Sequence, residues 1–267
     1  MSHAPGDSFA ISTPIYDIKL MTSSWIIKYY PNPQASLRLF CFPYAGAGAS
    51  IFRSWSTYLP PDIEACGIQL PGRENRYKEK KFTNIFSLID ALTTALLPNL
   101  DRPFMFFGHS VGALLSFAVA RQLRRLRYPT PLHLFISSYS APQLPNLDLP
   151  IAKLSDTDLL EEIRLYNGTP SNILENQEFI NFYLPIMRAD LTLKESYVYL
   201  PEPPLNCPIS VFGGINDPKI SRDSLASWQE QTSKKFNLQM FSGDHFYLKT
   251  QQESLLKAIV LDLTKHS

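Results

Sequence analysis

Only three of the 267 residues are cysteine, and Cys41, Cys66 and Cys207 all lie inside or beside apolar runs. No C-x-x-C and no Cys/His pairing at ligand spacing occurs, which argues against a zinc site and for buried, reduced thiols of a cytoplasmic protein. No segment approaches the roughly 20 apolar residues that a bilayer crossing needs. The N-terminus has no basic flank running into a hydrophobic stretch, so neither a membrane nor a secretory role is expected. A surplus of one charge is missing as well: 25 Lys and Arg against 24 Asp and Glu leave a net charge of +1. That balance offers no field to attract nucleic acid. The glycine-containing segment Pro43–Ala49 lacks both the Lys-Ser/Thr of a P-loop and G-x-G-x-x-G spacing, so no nucleotide, other cofactor or metal is expected. There is no internal repeat and no low-complexity tract.

What is present is material for one sizeable core, with 45% hydrophobic and 18% charged residues in a length that suits a single large domain. Residues 1–24 are polar, contain Pro5 and Pro14, and read as a loosely ordered extension before a domain spanning 25–267. Apolar runs at Leu37–Phe42, Ile63–Leu70, Phe104–Phe107, Leu132–Ser137, Ile209–Phe212 and Leu238–Phe241 alternate with helical patterns. Near-continuous apolar strands separated by helices indicate an α/β fold, a mostly parallel sheet covered on both faces. From about residue 144 to 200 the strand rhythm stops. Two helices are expected there. One is capped by Ser155 and ends near Gly168; the other, about Gln177–Arg188, is apolar on several faces and contains Pro185. The block reads as a helical lid inserted in the domain, with Phe179, Phe182, Tyr183, Ile186 and Met187 offering surface to a ligand.

Gly108-His109-Ser110-Val111-Gly112 follows one apolar run and precedes the best helical pattern, which recurs through Leu114, Leu115, Ala118 and Leu123. This is the setting of a nucleophile elbow, a serine held on a tight strand-to-helix turn in an α/β-hydrolase. A serine hydroxyl needs a base, and His245 follows the last strand candidate at the same sheet edge. His3 and His266 are in the tails, His133 is within a strand, and His109 is in the elbow itself. The base needs an orienting carboxylate, and Asp217 follows a strand and a double-glycine turn, better placed than Asp148, Asp190 or Asp244. The oxyanion would be met by the N–H groups of Val111 and Ala45. Gln69-Leu70-Pro71-Gly72-Arg73 is by itself a turn after a strand, and Arg121, Arg124, Arg125 and Arg127 suit a solvated helix end or an acidic partner.

Taken together, Phe42–Gly46, Phe52-Arg53-x-Trp55, Gln69–Glu74, Gly108–Gly112, Leu184-Pro185-x-x-Arg188-Ala189-Asp190, Gly213-Gly214-x-x-Asp217 and His245-Phe246 resemble the type II thioesterases of nonribosomal peptide and polyketide synthases. The resemblance covers Leu37 to Tyr247. It implies an α/β-hydrolase fold with a helical lid, Ser110, Asp217 and His245 as the triad, and Ala45 and Val111 as oxyanion donors. It also implies hydrolysis of acyl thioesters from the phosphopantetheine arm of a carrier protein, by an enzyme expected to be a monomer. Local bases such as Arg73, Arg76 or the Arg121–Arg127 cluster would attract an acidic carrier. Two residues depart from the pattern: Ala47 replaces a common glycine, and Asp244 replaces the glycine before the histidine and is expected to raise the base's pKa. A carboxylesterase with the same triad, or a catalytically silent binding protein, remains the alternative.

Overall fold

A computed structural model describes residues 24–145, 149–166, 168, 169 and 171–264. The extension read at 1–24 therefore lies almost wholly outside the described residues, as does Asp148. Seven strands form one sheet in the order β1-β3-β2-β4-β5-β6-β7. They are β1 (Ile26–Ile27), β2 (Leu37–Phe42), β3 (Ile63–Ile68), β4 (Phe104–His109), β5 (Leu134–Ser137), β6 (Ile209–Gly214) and β7 (Phe236–Phe241). Only β1 runs antiparallel, pairing Ile26 with Ile68 and Ile27 with Gly67; the other pairings are parallel.

The parallel strands are apolar on both sides because helices cover both faces. In β2, Phe40 and Phe42 join one core with helices α1 (Ile85–Leu96) and α2 (Val111–Arg125). Leu39 and Cys41 point the other way, into a second core with α8 (Gln252–Thr264), Phe52 and Trp55. Phe40 meets Phe104 and Phe106 edge to face at centroid separations of 5.9 and 6.0 Å, and Phe104 tilts against Phe106 at 5.3 Å. Truncating one such ring to alanine costs about 3–5 kcal/mol. The three cysteines are buried and unbridged, and burial pushes the Cys66 and Cys207 thiols up to about 12.

Between β5 and β6 the chain makes α3 (Asp156–Leu165), α4 (Ser171–Leu174) and α5 (Gln177–Glu195). Ser155 caps α3 by accepting the N–H of Asp158 at 3.1 Å. The second helix runs seven residues beyond the expected Arg188, through a stretch whose polar residues hid its periodicity. Leu159, Ile163, Leu174, Ile180, Leu184, Met187 and Leu191 form a separate apolar cluster, so these helices pack on one another, and α5 also packs on α2. Short helices α6 (Arg222–Ala226) and α7 (Tyr247–Thr250) follow β6 and β7. Among the described residues no helix is long and apolar enough to cross a membrane.

Candidate active site

β4 ends at His109 and α2 begins at Val111, so Ser110 alone makes the turn, with φ 53° and ψ −122°. Such a backbone costs a non-glycine residue of order 1–3 kcal/mol and persists only where its surroundings force it. Here the N–H of Ser110 donates to Ser137 O at 2.8 Å and its carbonyl accepts from Ala113 at 2.8 Å. The flanking glycines permit the close approach. A Cβ on Gly108 would come within 2.2 Å of Gly112 O, and one on Gly112 within 2.1 Å of Phe42 O. Val111 opens α2, so its N–H belongs to the first turn, whose donors have no intrahelical acceptor. Ser110, Val111, Ala45 and His245 border one cavity of about 770 Å³, open space at its mouth included.

His245 is buried, and its Nδ1 lies 2.7 Å from Asp217 Oδ2. The other oxygen, Oδ1, accepts the N–H groups of Lys219 and Ile220 at 3.0 and 3.1 Å, which fixes the carboxylate in the loop after β6. The rings of Tyr166, Phe246 and His109 surround the imidazole at centroid distances of 5.1, 5.1 and 5.3 Å. Asp244 and Asp190 are engaged elsewhere. Asp244 Oδ1 accepts the N–H of Phe246 at 2.8 Å, and Asp190 is bound by Arg73. Ala47, the departure in the loop after β2, has an ordinary negative φ; Gly46 before it takes the left-handed value of +79°.

His109 has a place that its sequence position did not foretell. It is fully buried, its Nδ1 lies 2.8 Å from Ser137 Oγ, and that oxygen lies 2.6 Å from the Tyr247 hydroxyl. Burial, then repulsion from His245 and Lys249, holds its pKa well below the usual 6.5, so it stays neutral at pH 7. Burial likewise pushes the cavity-wall phenol Tyr44 up to about 12, which keeps it protonated.

The inserted helices divide the expected ligand residues. Tyr183 and Met187 line the cavity, one turn apart on the same face of α5. Phe179 stacks on Tyr183 at 5.0 Å without reaching the wall. Phe182 lies off the wall, about 100° around the helix from Tyr183, and is 50% exposed. Ile186 is buried and also off the wall. Ile151, Ile163, Tyr166, Leu191, Ile220 and Phe246 complete the lining. Leu191, four residues after Met187, was legible only to a reading that carried α5 past Arg188.

The arginines expected to draw in an acidic carrier are largely spent inside the protein. Arg73 is buried against Asp190, and Arg76 is buried, pairs with Glu79 at 2.5 Å and lies 4.1 Å over the Trp25 ring. Arg121 and Arg124 reach Glu202 at 2.8 and 2.7 Å, and Arg125 binds the same carboxylate. Burial alone would raise the Glu202 pKa, but the bonds from Arg121, Arg125 and Arg124 outweigh it and bring it to about 2. Sequence shows clustered charge and not its partners, and Glu202 is 77 to 81 residues away.

The topology and the histidine–carboxylate pair beside an elbow serine define an α/β-hydrolase fold. Residues 37–262 match the thioesterase domain, and the chain belongs to that family. It is 42% identical over 235 residues to the gramicidin S biosynthesis protein GrsT of Aneurinibacillus migulanus, across 88% of this chain and 92% of that one. With the medium-chain S-acyl fatty acid synthase thioesterase of Rattus norvegicus it shares 32% over 236 residues, covering 85% and 88%. The solved structure of RedJ, a thioesterase of the prodiginine pathway in Streptomyces coelicolor, superposes with a TM-score of 0.80 at 37% identity, covering 84% of this chain and 89% of that one. The chain is a thioester hydrolase.

Proposed function

We propose that this protein is a type II thioesterase that clears acyl or peptidyl groups from the phosphopantetheine arm of carrier proteins in nonribosomal peptide or polyketide synthesis. The observation that carries the reading is the 2.7 Å bond between His245 Nδ1 and Asp217 Oδ2 at the wall of the cavity that Ser110 shares. In this reading Asp217 holds the imidazole with Nε2 toward Ser110, and His245 takes the serine proton as Oγ attacks the thioester carbonyl. The N–H groups of Ala45 and Val111 receive the oxyanion, where one such donor is typically worth 10²–10³ in kcat. Collapse breaks the C–S bond, and His245 returns its proton to the departing thiolate. Water, activated by the same base, then attacks the acyl-serine ester and frees the acid. Helices α3–α5 act as the lid, and Tyr183 and Met187 meet the acyl group.

The test is turnover of a panel of acyl carrier proteins and matching coenzyme A thioesters by wild type, Ser110→Ala and Asp217→Asn, with fluorophosphonate labelling alongside. Ser110→Ala should neither label nor turn over. Asp217→Asn should lose roughly 10³–10⁴ in kcat with KM little changed, because an amide cannot stabilise the imidazolium. Labelling that survives Ser110→Ala would overturn the nucleophile. Oxygen esters preferred to thioesters would overturn the substrate class.

A further inference from the structure

The carboxylate of Asp190 on α5 is held by Arg73 at 2.5 and 2.8 Å, and both side chains are almost completely buried. The same Oδ2 that meets Arg73 Nη1 also accepts the N–H of Gly46 at 2.8 Å, one residue after Ala45. Arg73 Nη1 in turn donates to Ala47 O at 3.1 Å, so the pair grips the loop on both sides of Gly46. The far end of that loop is fixed by Gln69, which accepts the N–H of Ala49 at 2.7 Å and donates to Arg73 O at 3.1 Å. α5 also presses on the loop directly. A Cβ on Gly46 would fall 2.5 Å from Met187 Sδ and 2.7 Å from the Tyr183 ring.

Tyr183, Met187 and Asp190 stand at i, i+4 and i+7, on one stripe of α5. The first two line the cavity and the third holds the oxyanion loop. We propose that Asp190 is a positioning residue that makes the oxyanion pocket conditional on the lid. Ala45 presents its N–H only while α5 is seated, because the Asp190 carboxylate is what fixes the neighbouring Gly46 peptide. An acyl group that packs well on Tyr183 and Met187 thereby also secures the donor that its carbonyl needs, whereas one that displaces α5 loses it. The inference rests on the assignment of Ala45 and Val111 made above.

The experiment compares a short acyl-pantetheine trifluoromethyl ketone, which adds Ser110 to give an oxyanion, with the matching thioether, which cannot. The variants are Arg73→Met/Asp190→Leu, which fills the site with apolar groups and leaves Gly46 no acceptor, and Arg73→Gln/Asp190→Asn, which removes charge but keeps an amide acceptor. Ketone affinity should fall ~100-fold in the first and by no more than ~10-fold in the second, with thioether affinity within ~3-fold in both and the kcat loss exceeding any KM change. Unchanged ketone affinity in the first variant, or equal losses for both ligands, overturns the proposal. A wild type that binds ketone and thioether equally would instead bring down the triad assignment and this inference with it. Should the apolar pair fail to fold, hydrogen exchange at Gly46 in the wild type decides. Protection that rises when the ketone binds supports the coupling, and exchange at the rate of an unstructured peptide overturns it.

Discussion

Helix α2 links two ends of the molecule that treat charge in opposite ways. Over its 15 residues, about 22 Å, it runs from the strained Ser110 to the arginines at its C-terminus. In the proposed mechanism the first end offers first-turn N–H groups and the positive pole of the helix dipole to a negative charge that forms only during reaction. Near it the buried charges of Arg73 and Asp190 neutralise each other away from water. The last end carries the negative pole, and there Arg121, Arg124 and Arg125 share a single Glu202, with Arg125 still 45% exposed. Arg73 and Arg121 each keep a buried Nε with no hydrogen-bond partner among the described residues. The difference teaches that a fully buried pair can hold geometry at a cost in desolvation, while a cluster whose Glu202, Arg124 and Arg125 keep some exposure is expected to contribute less.

The sharpest way to break this contrast is Arg73→Met alone, which leaves Asp190 buried without its countercharge. A loss of about 3–5 kcal/mol is expected in urea unfolding, whereas the Arg73→Met/Asp190→Leu pair should recover most of it. Next comes pH at the first end. His109 stays neutral in the folded protein while its unfolded counterpart takes a proton below about 6.5, so stability falls as pH drops through that value. The slope contributed should reach up to about 1.4 kcal/mol per pH unit, and His109→Gln should flatten it. If wild type and His109→Gln show the same slope from pH 6.5 to 5, the imidazole is charged in the fold.

At the far end Glu202→Gln should cost about 1 kcal/mol or less at pH 7, a figure already reduced for solvent screening. Because the folded pKa is lowered, that contribution is present above the ordinary 4.5 and is lost as pH falls toward about 2, where wild type and variant should converge. Smallest of all, Arg125→Gln should change stability by a few tenths of a kcal/mol at low salt and by less at physiological ionic strength, where the screening length is about 8 Å. A larger, salt-insensitive loss would place Arg125 with Arg73 as a structural group.

How much of this was legible follows from where the period of the chain survives. β2 at Leu37–Phe42 is apolar except for Arg38, and its bounds are legible to the residue. β4 continues two residues past the apolar run because Gly108 and His109 keep the ladder without being hydrophobic. β7 begins at Phe236, two residues early, since at the sheet edge its half-buried and exposed residues alternate and Asn237 masks the start. The two residues of β1 have no pattern to detect. In the site, Ser110, Asp217 and His245 stand beside glycines and strand ends that mark sharp turns, which is why the sequence points to them. Asp190 and Arg73 lie 117 residues apart, and nothing local in either records the partnership. That Phe182 is half-exposed and off the cavity wall is not legible, because a helix apolar on several faces does not announce which one is covered.

The short strand β1 carries a practical consequence. The family match begins at Leu37, ten residues after Ile27, and invites a shortened protein that starts there. Yet Trp25 O accepts the N–H of Gln69, the residue whose side chain holds Ala49, and Ile26 and Ile27 close the outer side of β3 at Gly67 and Ile68. Removing them would strip a backbone edge bare and invite a second molecule to pair with it. A chain cut at Leu37 should therefore elute from gel filtration as larger species than the full chain does. The start of the family match and the edge of a self-sufficient sheet are different places in this protein.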